Sequence, residues 1–429
     1  MDPPSATKFD VAIVGAGPAG ASAAYTLARK GFKVVVLERG RTPGSKNLFG
    51  GRVYSHPLEL IFEGFKNEAP IERWTKREVL SFVTEEGIVS VEYASGSSTS
   101  FTAYLSKLSA WMASKAESAG AILVTDVRVD DILMENGKAV GIVSGGDRLY
   151  ADVVVIAEGV NRLLCERRNI TPQLSPEEVA LGVKHVIRLG TDKINDRFGL
   201  DSNEGLAWFL IGKVTDYLPG GAFLYTNSTT VSLGIVVFLS HAMKKVKRHI
   251  YEVLEDLRTS PPFTRLLEGG SLVEYGSHLT PEAGLKMMPK KLYGDGFLIV
   301  GDAAGLLINL GYTVRGVDLA AFSGYLAAEA IEEAHSLGSY TSHNLSCYER
   351  KLNDSFVMKE MKRHDSVQKL MSKSHIFELY PQVLVGTTKR LFEFEETSPK
   401  LLEAAKESLK GKGSKFKMLL DAITLMRGP

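Results

Sequence analysis

The sequence predicts an α/β fold: a Rossmann-like nucleotide-binding domain with an inserted antiparallel-sheet domain and a helical C-terminal region. Three observations predict it. A glycine-rich turn, "VGAGPAG", links a short apolar strand to a helix near the N-terminus. Two further apolar strands end in glycine much later, in "VVVIAEG" and "FLIVGDAAG". Strand-like alternation dominates between those two, from about 178 to 240.

Taken in order, residues 9–14, "FDVAIV", read as a buried parallel strand, being short, β-branched and bounded by glycine. A helix follows from Pro18 to Lys30, and Gly31 closes it. The strand "KVVVLE" ends at Glu38 and completes a βαβ unit. Gly15, Gly17 and Gly20 stand in G-x-G-x-x-G register. The first allows the tight turn. The second lets the backbone approach a pyrophosphate, and the third lets helix and strand pack closely. Pro18 and Ala19 open the helix, whose free N–H groups attract phosphate. Glu38, with Arg39 beside it, lies where a carboxylate accepts ribose hydroxyls. On this turn alone the dinucleotide is FAD or NAD.

Residues 41–57 form a long loop rich in glycine and proline, which in a compact domain is functional or disordered. Its Lys46, Asn47, Gly50 and Gly51 are expected beside the cofactor. "EVLSFVTEEG" and "IVSVEYASG" alternate as a hairpin, and residues 103–119 are helical up to Gly120. The strand "AILVTDV" brings Val127 to the site, and "ADVVVIAEG" brings Ala157, Glu158 and Gly159. Strand patterns follow in "VALGVKHVIRL", "LAWFLIG", "GAFLYTN" and "TTVSLGIVVFL". Helical signal returns near 243–258 and dominates after about 316. The expected domains are residues 8–75, 100–170 and 285–335 for the nucleotide, 76–99 and 171–284 for a β-rich substrate side, and 336–429 for the helical region.

Bulk properties narrow the function. The 429 residues are enough for two or three domains, and 44% hydrophobic with 24% charged residues is ordinary for a folded protein. A net charge of +1 carries no nucleic-acid footprint. Cys165 and Cys347, the two cysteines, have no metal-ligand spacing and suit a reducing compartment. They also exclude an iron–sulfur cluster held by this chain alone, which needs about four thiolates. No apolar signal core opens the sequence, and no segment offers the roughly 20 apolar residues of a membrane span. The expectation is a cytoplasmic protein, or one resting on the inner face of the cell membrane.

The late turn separates the two nucleotides. A flavin dinucleotide is long, and its ring end needs contacts far from the first turn. "FLIVGDAAG" places Asp302 at a strand end, where it can hold a ribityl hydroxyl, and Gly301 and Gly305 remove colliding side chains. Gly311, Tyr312, Thr313 and Val314 then lead into the helix "VDLAAFSGYLAAEA". Its start is expected at the flavin edge that becomes anionic on reduction. Three strand–glycine turns in this order resemble the glutathione-reductase-type FAD fold.

The pieces "PGSKNLFGGRVYSHPLE", "GGAFLYTNSTTVSLGIVV" and "GDAAGLLINLGYTVRGVDLA" resemble the FixC-type electron-transfer-flavoprotein:quinone oxidoreductase family. That resemblance spans about 8 to 335. It implies noncovalent FAD, an electron-transfer flavoprotein as donor and quinone as acceptor. It also implies a small ferredoxin-like iron–sulfur subunit, because the cysteine-rich domain of the mammalian type has no counterpart here. Geranylgeranyl reductases, which reduce prenyl lipid double bonds, share the fold and the GDAAG word and are the alternative. A noncatalytic subunit that keeps FAD as a structural element is a third reading. Related flavoproteins often carry an arginine at the start of the 103–119 helix; Leu105 and Lys107 stand there instead. Arg315 and Asp318 read either as flavin neighbours or as an ion pair and cap. Tyr54 and His56 share the glycine-rich loop, and no base is assigned to His56. The basic stretches "KKVKRH" and "KESLKGKGSKFK" suit a solvated face, contact with an anionic membrane surface or docking of an acidic partner.

Overall fold

The computed structural model of the chain describes residues 8–46, 50–245, 248–411 and 420–421. The three glycine-ended strands lie side by side. Phe9–Val14 occupies the middle of a parallel sheet, with Asp147–Ile156 on one side and Val34–Leu37 on the other. Phe297–Ile299 adds beyond Asp147–Ile156, and Ile122–Val124 adds beyond Val34–Leu37. Val11, Ala12, Ile13 and the run Val153–Ile156 have no exposed surface. A sheet covered on both faces demands such continuous apolar runs.

The Pro18–Arg29 helix is buried from Ala19 to Ala28, one residue shorter than its sequence pattern suggests. It packs against Val317–Ser336 and Leu105–Ser118. The closeness depends on glycine. A Cβ on Gly20 would stand 1.9 Å from the Gly15 carbonyl oxygen, and one on Gly324 would stand 2.0 Å from the Ala19 carbonyl oxygen.

The second sheet has nine strands in the order Ser271–Pro281, Val179–Arg188, Thr230–Phe238, Gly220–Thr226, Glu204–Gly212, Arg73–Val83, Ser100–Tyr104 and Gly50–Tyr54, with Ile88–Ala94 paired to Arg73–Val83. Its pairs are antiparallel except Glu204–Gly212 with Arg73–Val83. Two short strands differ from the sequence reading. Gly50–Tyr54 stood in an expected loop, and Ser100–Tyr104 includes the start of an expected helix. They pair with each other instead, Gly50 opposite Tyr104. That pairing satisfies backbone groups which a buried loop would leave unpaired. Arg73 ties this region together: its guanidinium donates to the carbonyls of Asn227 and Glu204 and to Asn195 Oδ1, each at 2.8 Å.

From Val317 onward the described chain is helical, ending in Ser374–Phe392 and Leu401–Leu409. Among the described residues, no helix is long and apolar enough to cross a membrane.

Candidate functional site

The C-terminal ends of the parallel strands open into a cavity of about 430 Å³, walled on its far side by the second sheet. The turn after Phe9–Val14 forms its first wall. Gly15 has φ +100° and donates its N–H to the Leu37 carbonyl at 2.8 Å. A side chain there would strike the Ala157 carbonyl oxygen at 2.4 Å. Gly17 caps the helix that begins at Pro18, and nothing lies within 4 Å of where its Cβ would stand. Gly159, φ +78°, is equally bare. Both glycines line the cavity, so two stretches of main chain face it without side chains.

Glu38 lies just past the end of its strand and is buried. Its Oε2 accepts the Ala16 N–H at 2.9 Å and its Oε1 accepts the Gly40 N–H at 2.7 Å. Each oxygen keeps a lone pair for a ligand hydroxyl. The Glu38 carbonyl accepts the Val127 N–H at 3.0 Å, which brings Val127 into the wall.

Asp302 also lines the cavity, in a single 3₁₀ turn spanning Gly301–Ala304. Burial pushes its carboxyl up to about 6, while the Arg162 guanidinium pulls it down. Arg162 is itself buried, and its Nε and Nη2 have no hydrogen-bond partner among the described residues. A Cβ on Gly305 would approach that Nη2 to 3.1 Å. The next strands, Ile308–Asn309 and Val314–Arg315, form a tight hairpin closed by the Leu310 N–H to the Thr313 carbonyl at 2.8 Å. Gly311 at φ +86° makes that turn.

Most residues expected at the site line this one cavity: Gly15, Gly17, Pro18 and Ala19; Glu38, Arg39, Lys46 and Val127; Ala157, Glu158 and Gly159; Gly301, Asp302 and Gly311 to Val314. Gly20, Gly50 and Gly51 do not. Gly20 packs helix on strand, and the other two sit in a paired strand. Asn47 lies outside the described residues, as do Val246, Lys247 and residues 412–417 of the lysine-rich "KESLKGKGSKFK". Glu158 spends its carboxylate at home, accepting the Leu164 and Cys165 N–H groups at 2.8 and 3.0 Å. Arg315 and Asp318 form a 2.6 Å ion pair, and Asp318 lines the cavity. The start of the Val317–Ser336 helix thus presents a carboxylate as well as its N–H groups. Leu105 lines the cavity, whereas Lys107 turns away to Glu72 at 2.9 Å. Tyr54 is clasped by the Arg52 and Arg315 guanidiniums, 4.8 and 4.6 Å from its ring centroid. His56 is exposed at the start of a short helix.

The sequence leaves the apolar stretches "AWFLIG" and "YLPGGAFLY" open as core or a quinone entry, and it assigns little else of the remaining lining. The second sheet contributes an apolar wing that includes Leu80, Phe209, Phe223, Tyr225, Val236 and Phe238, and Met371 and Phe377 close over it from the C-terminal helices. His278, Thr280 and Glu282 form a polar edge. Alternating apolar strands signal a face, but not what the face encloses. Among the described residues no cluster of histidine, cysteine or carboxylate side chains is arranged to hold a metal ion, and both cysteines are buried and free.

An FAD molecule fits these walls. Bare glycine backbone and a helix N-terminus suit its pyrophosphate, Glu38 suits its ribose, and Asp302 lies on the same cavity at the other turn. The comparisons agree with that chemistry. The Thi4 family profile matches residues 5–151. The chain is 43% identical over 409 residues to the protein FixC of Salmonella typhimurium, covering 93% of this chain and 95% of that one. It is 41% identical over 396 residues to the probable electron transfer flavoprotein-quinone oxidoreductase YdiS of Escherichia coli K12, covering 90% and 91%. A geranylgeranyl bacteriochlorophyll reductase-like protein from Thermoplasma acidophilum shares the fold, with a TM-score of 0.73 at 17% identity over 97% of this chain and 99% of that one.

Proposed function

The chain belongs to the FixC-type electron-transfer-flavoprotein:quinone oxidoreductase family, and from that membership we propose that it takes electrons from an electron-transfer flavoprotein and passes them to a quinone. It is an FAD-dependent oxidoreductase. FAD supplies the two-electron redox chemistry; the chain supplies binding, orientation and exclusion of water. The observation that carries the reading is the single cavity bounded by Glu38, Asp302 and the apolar wing. One side suits a dinucleotide and the other suits an apolar acceptor.

In this reading the Gly15–Gly20 turn holds pyrophosphate and Glu38 holds ribose hydroxyls. Asp302 holds the ribityl chain, and the hairpin at Gly311 to Val314 borders the ring. Phe209, Phe223 and Phe377 receive the body of the quinone. A ferredoxin-like iron–sulfur subunit completes the electron path, since two cysteines cannot hold a cluster. The protein works in the cytoplasm at the inner face of the membrane, where a quinone is available.

Anaerobic stopped-flow mixing tests this. Reduced electron-transfer flavoprotein should bleach the flavin of the chain, and a soluble short-chain quinone should restore it. The ferredoxin-like partner should accelerate the first step. A flavin that the donor reduces, that quinone leaves reduced and that a prenyl lipid reoxidises would replace this function with prenyl reduction. A flavin that no donor reduces would indicate a structural cofactor.

A further inference from the structure

The polar edge of the cavity has an order of its own. Val236 lies opposite Gly182, which lies opposite His278; Phe238, Ala180 and Thr280 form the next row. Directly opposed residues of an antiparallel pair point to the same face. His278 and Thr280 therefore stand on the face that carries the apolar wing, at its margin. The Glu282 N–H donates to the Glu178 carbonyl at 2.7 Å, and this extends the pattern one step past Pro281. His278, Thr280 and Glu282 thus run along one margin at alternate positions, and all three line the cavity.

Glu282 is 3% exposed. Among the described residues, no cation pairs with its carboxylate. From the hairpin, Asn309 Nδ2 approaches Oε2 at 3.4 Å. From the Asp365–Met371 helix, Gln368 donates to the Glu282 carbonyl oxygen at 2.9 Å. Glu178 offers only a backbone carbonyl. On the same strand His278 is the nearest titratable group facing this way, and burial and the Arg39 charge disfavour its protonation. Asp302 lines the same cavity. Burial pushes the Glu282 carboxyl up to about 7, with the Asn309 contact opposing it. Thr280 Oγ1 is buried with no hydrogen-bond partner among the described residues, so it has capacity to relay.

We propose that Glu282 is a proton donor of this cavity, holding a proton at the margin of the apolar wing and giving it to an oxygen of the quinone-type acceptor. The inference rests on the acceptor named above. Reduction of the acceptor turns two carbonyl oxygens into two hydroxyls and consumes two electrons and two protons. Reduced FAD, when bound, would supply the electrons and one proton. The second proton comes from Glu282: its O–H bond breaks, the acceptor O–H bond forms, and Thr280 and His278 return a proton from solvent.

The test compares wild type with Glu282→Gln and Glu282→Asp. In infrared difference spectra of the apoprotein, a protonated-carboxyl band should titrate near neutrality in wild type. It should vanish in Glu282→Gln and persist in Asp302→Asn. In the flavin-loaded protein, quinone-driven reoxidation should slow about 100-fold in Glu282→Gln, the scale of a lost general acid. Its decline above about pH 7 should also disappear, and Glu282→Asp should recover part of the rate. Ferricyanide takes electrons without protons, so its reduction should not change. Loss of both rates in Glu282→Gln, or an unchanged quinone rate and pH profile, would overturn the proposal and leave the quinone function standing. A wild-type flavin reoxidised by ferricyanide but by no quinone would overturn that function and the proton donor with it.

Discussion

At the scale of single residues, the site depends on what glycine omits and what two carboxylates retain. Gly17 borders open cavity, with no atom within 4 Å of a Cβ. Gly17→Leu should therefore fold normally yet purify without flavin, as the visible flavin absorbance and a thermal melt would reveal together. Gly15 differs, because any side chain there meets the Ala157 carbonyl and the fold itself suffers. Asp302 sets a pH dependence. Its folded-state pKa of about 6 lies above the ordinary 3.8. Between those values the folded apoprotein holds a proton that the unfolded chain has lost. This contribution is whole below about pH 4 and is lost as pH rises through about 6. Urea titrations of apoprotein across that window should show Asp302→Asn gaining on wild type as pH rises; parallel curves would refute it. Glu38 was legible from its distance past the first turn, but Glu282 was not. A carboxylate one residue beyond a strand end looks like any solvent-facing loop residue until the cavity around it is seen.

At the scale of elements, helix contacts explain glycines that the nucleotide motif does not. Gly324 sits inside the Val317–Ser336 helix, where alanine would ordinarily gain up to about 1 kcal/mol in propensity. Here its Cβ would lie 2.0 Å from the backbone oxygen of Ala19, which has no rotamer by which to move away. The clash wins, and Gly324→Ala should destabilise by ~1–3 kcal/mol in denaturant titrations. It should also weaken flavin binding, because Ala19 belongs to the cofactor turn. The elements around the first turn were readable because strand, glycines and helix are local in sequence. Gly50–Tyr54 was not: its identity as a strand depends on Ser100–Tyr104, and no local pattern announces a partner that distant. Arg73 belongs to this scale too. Arg73→Met would strand the carbonyls of Asn227 and Glu204, costing ~1–3 kcal/mol for each unpaired group, measurable as a lowered urea midpoint.

At the scale of the whole molecule, the cavity has no owner. The parallel sheet supplies one wall, the nine-stranded sheet another, and Met371 and Phe377 come from the C-terminal helices. A ligand that touches all three stabilises them together. Removing FAD should lower the melting temperature of a single shared transition. At roughly 100-fold excess over its dissociation constant FAD would contribute about 2.7 kcal/mol, and calorimetry of apo and reconstituted protein would measure it. The sequence by itself determined the three glycine-ended strands and the class of cofactor they suit, because strand period, turn glycines and helix starts are short-range properties; the family came from the resemblance of whole segments. Only the tertiary structure decided that Glu38 and Asp302 face one space, that Leu105 rather than Lys107 reaches it, and that Glu282 stands beside an apolar wing. Those facts depend on which distant strands pair and on which face each side chain lands, and packing across two sheets sets both.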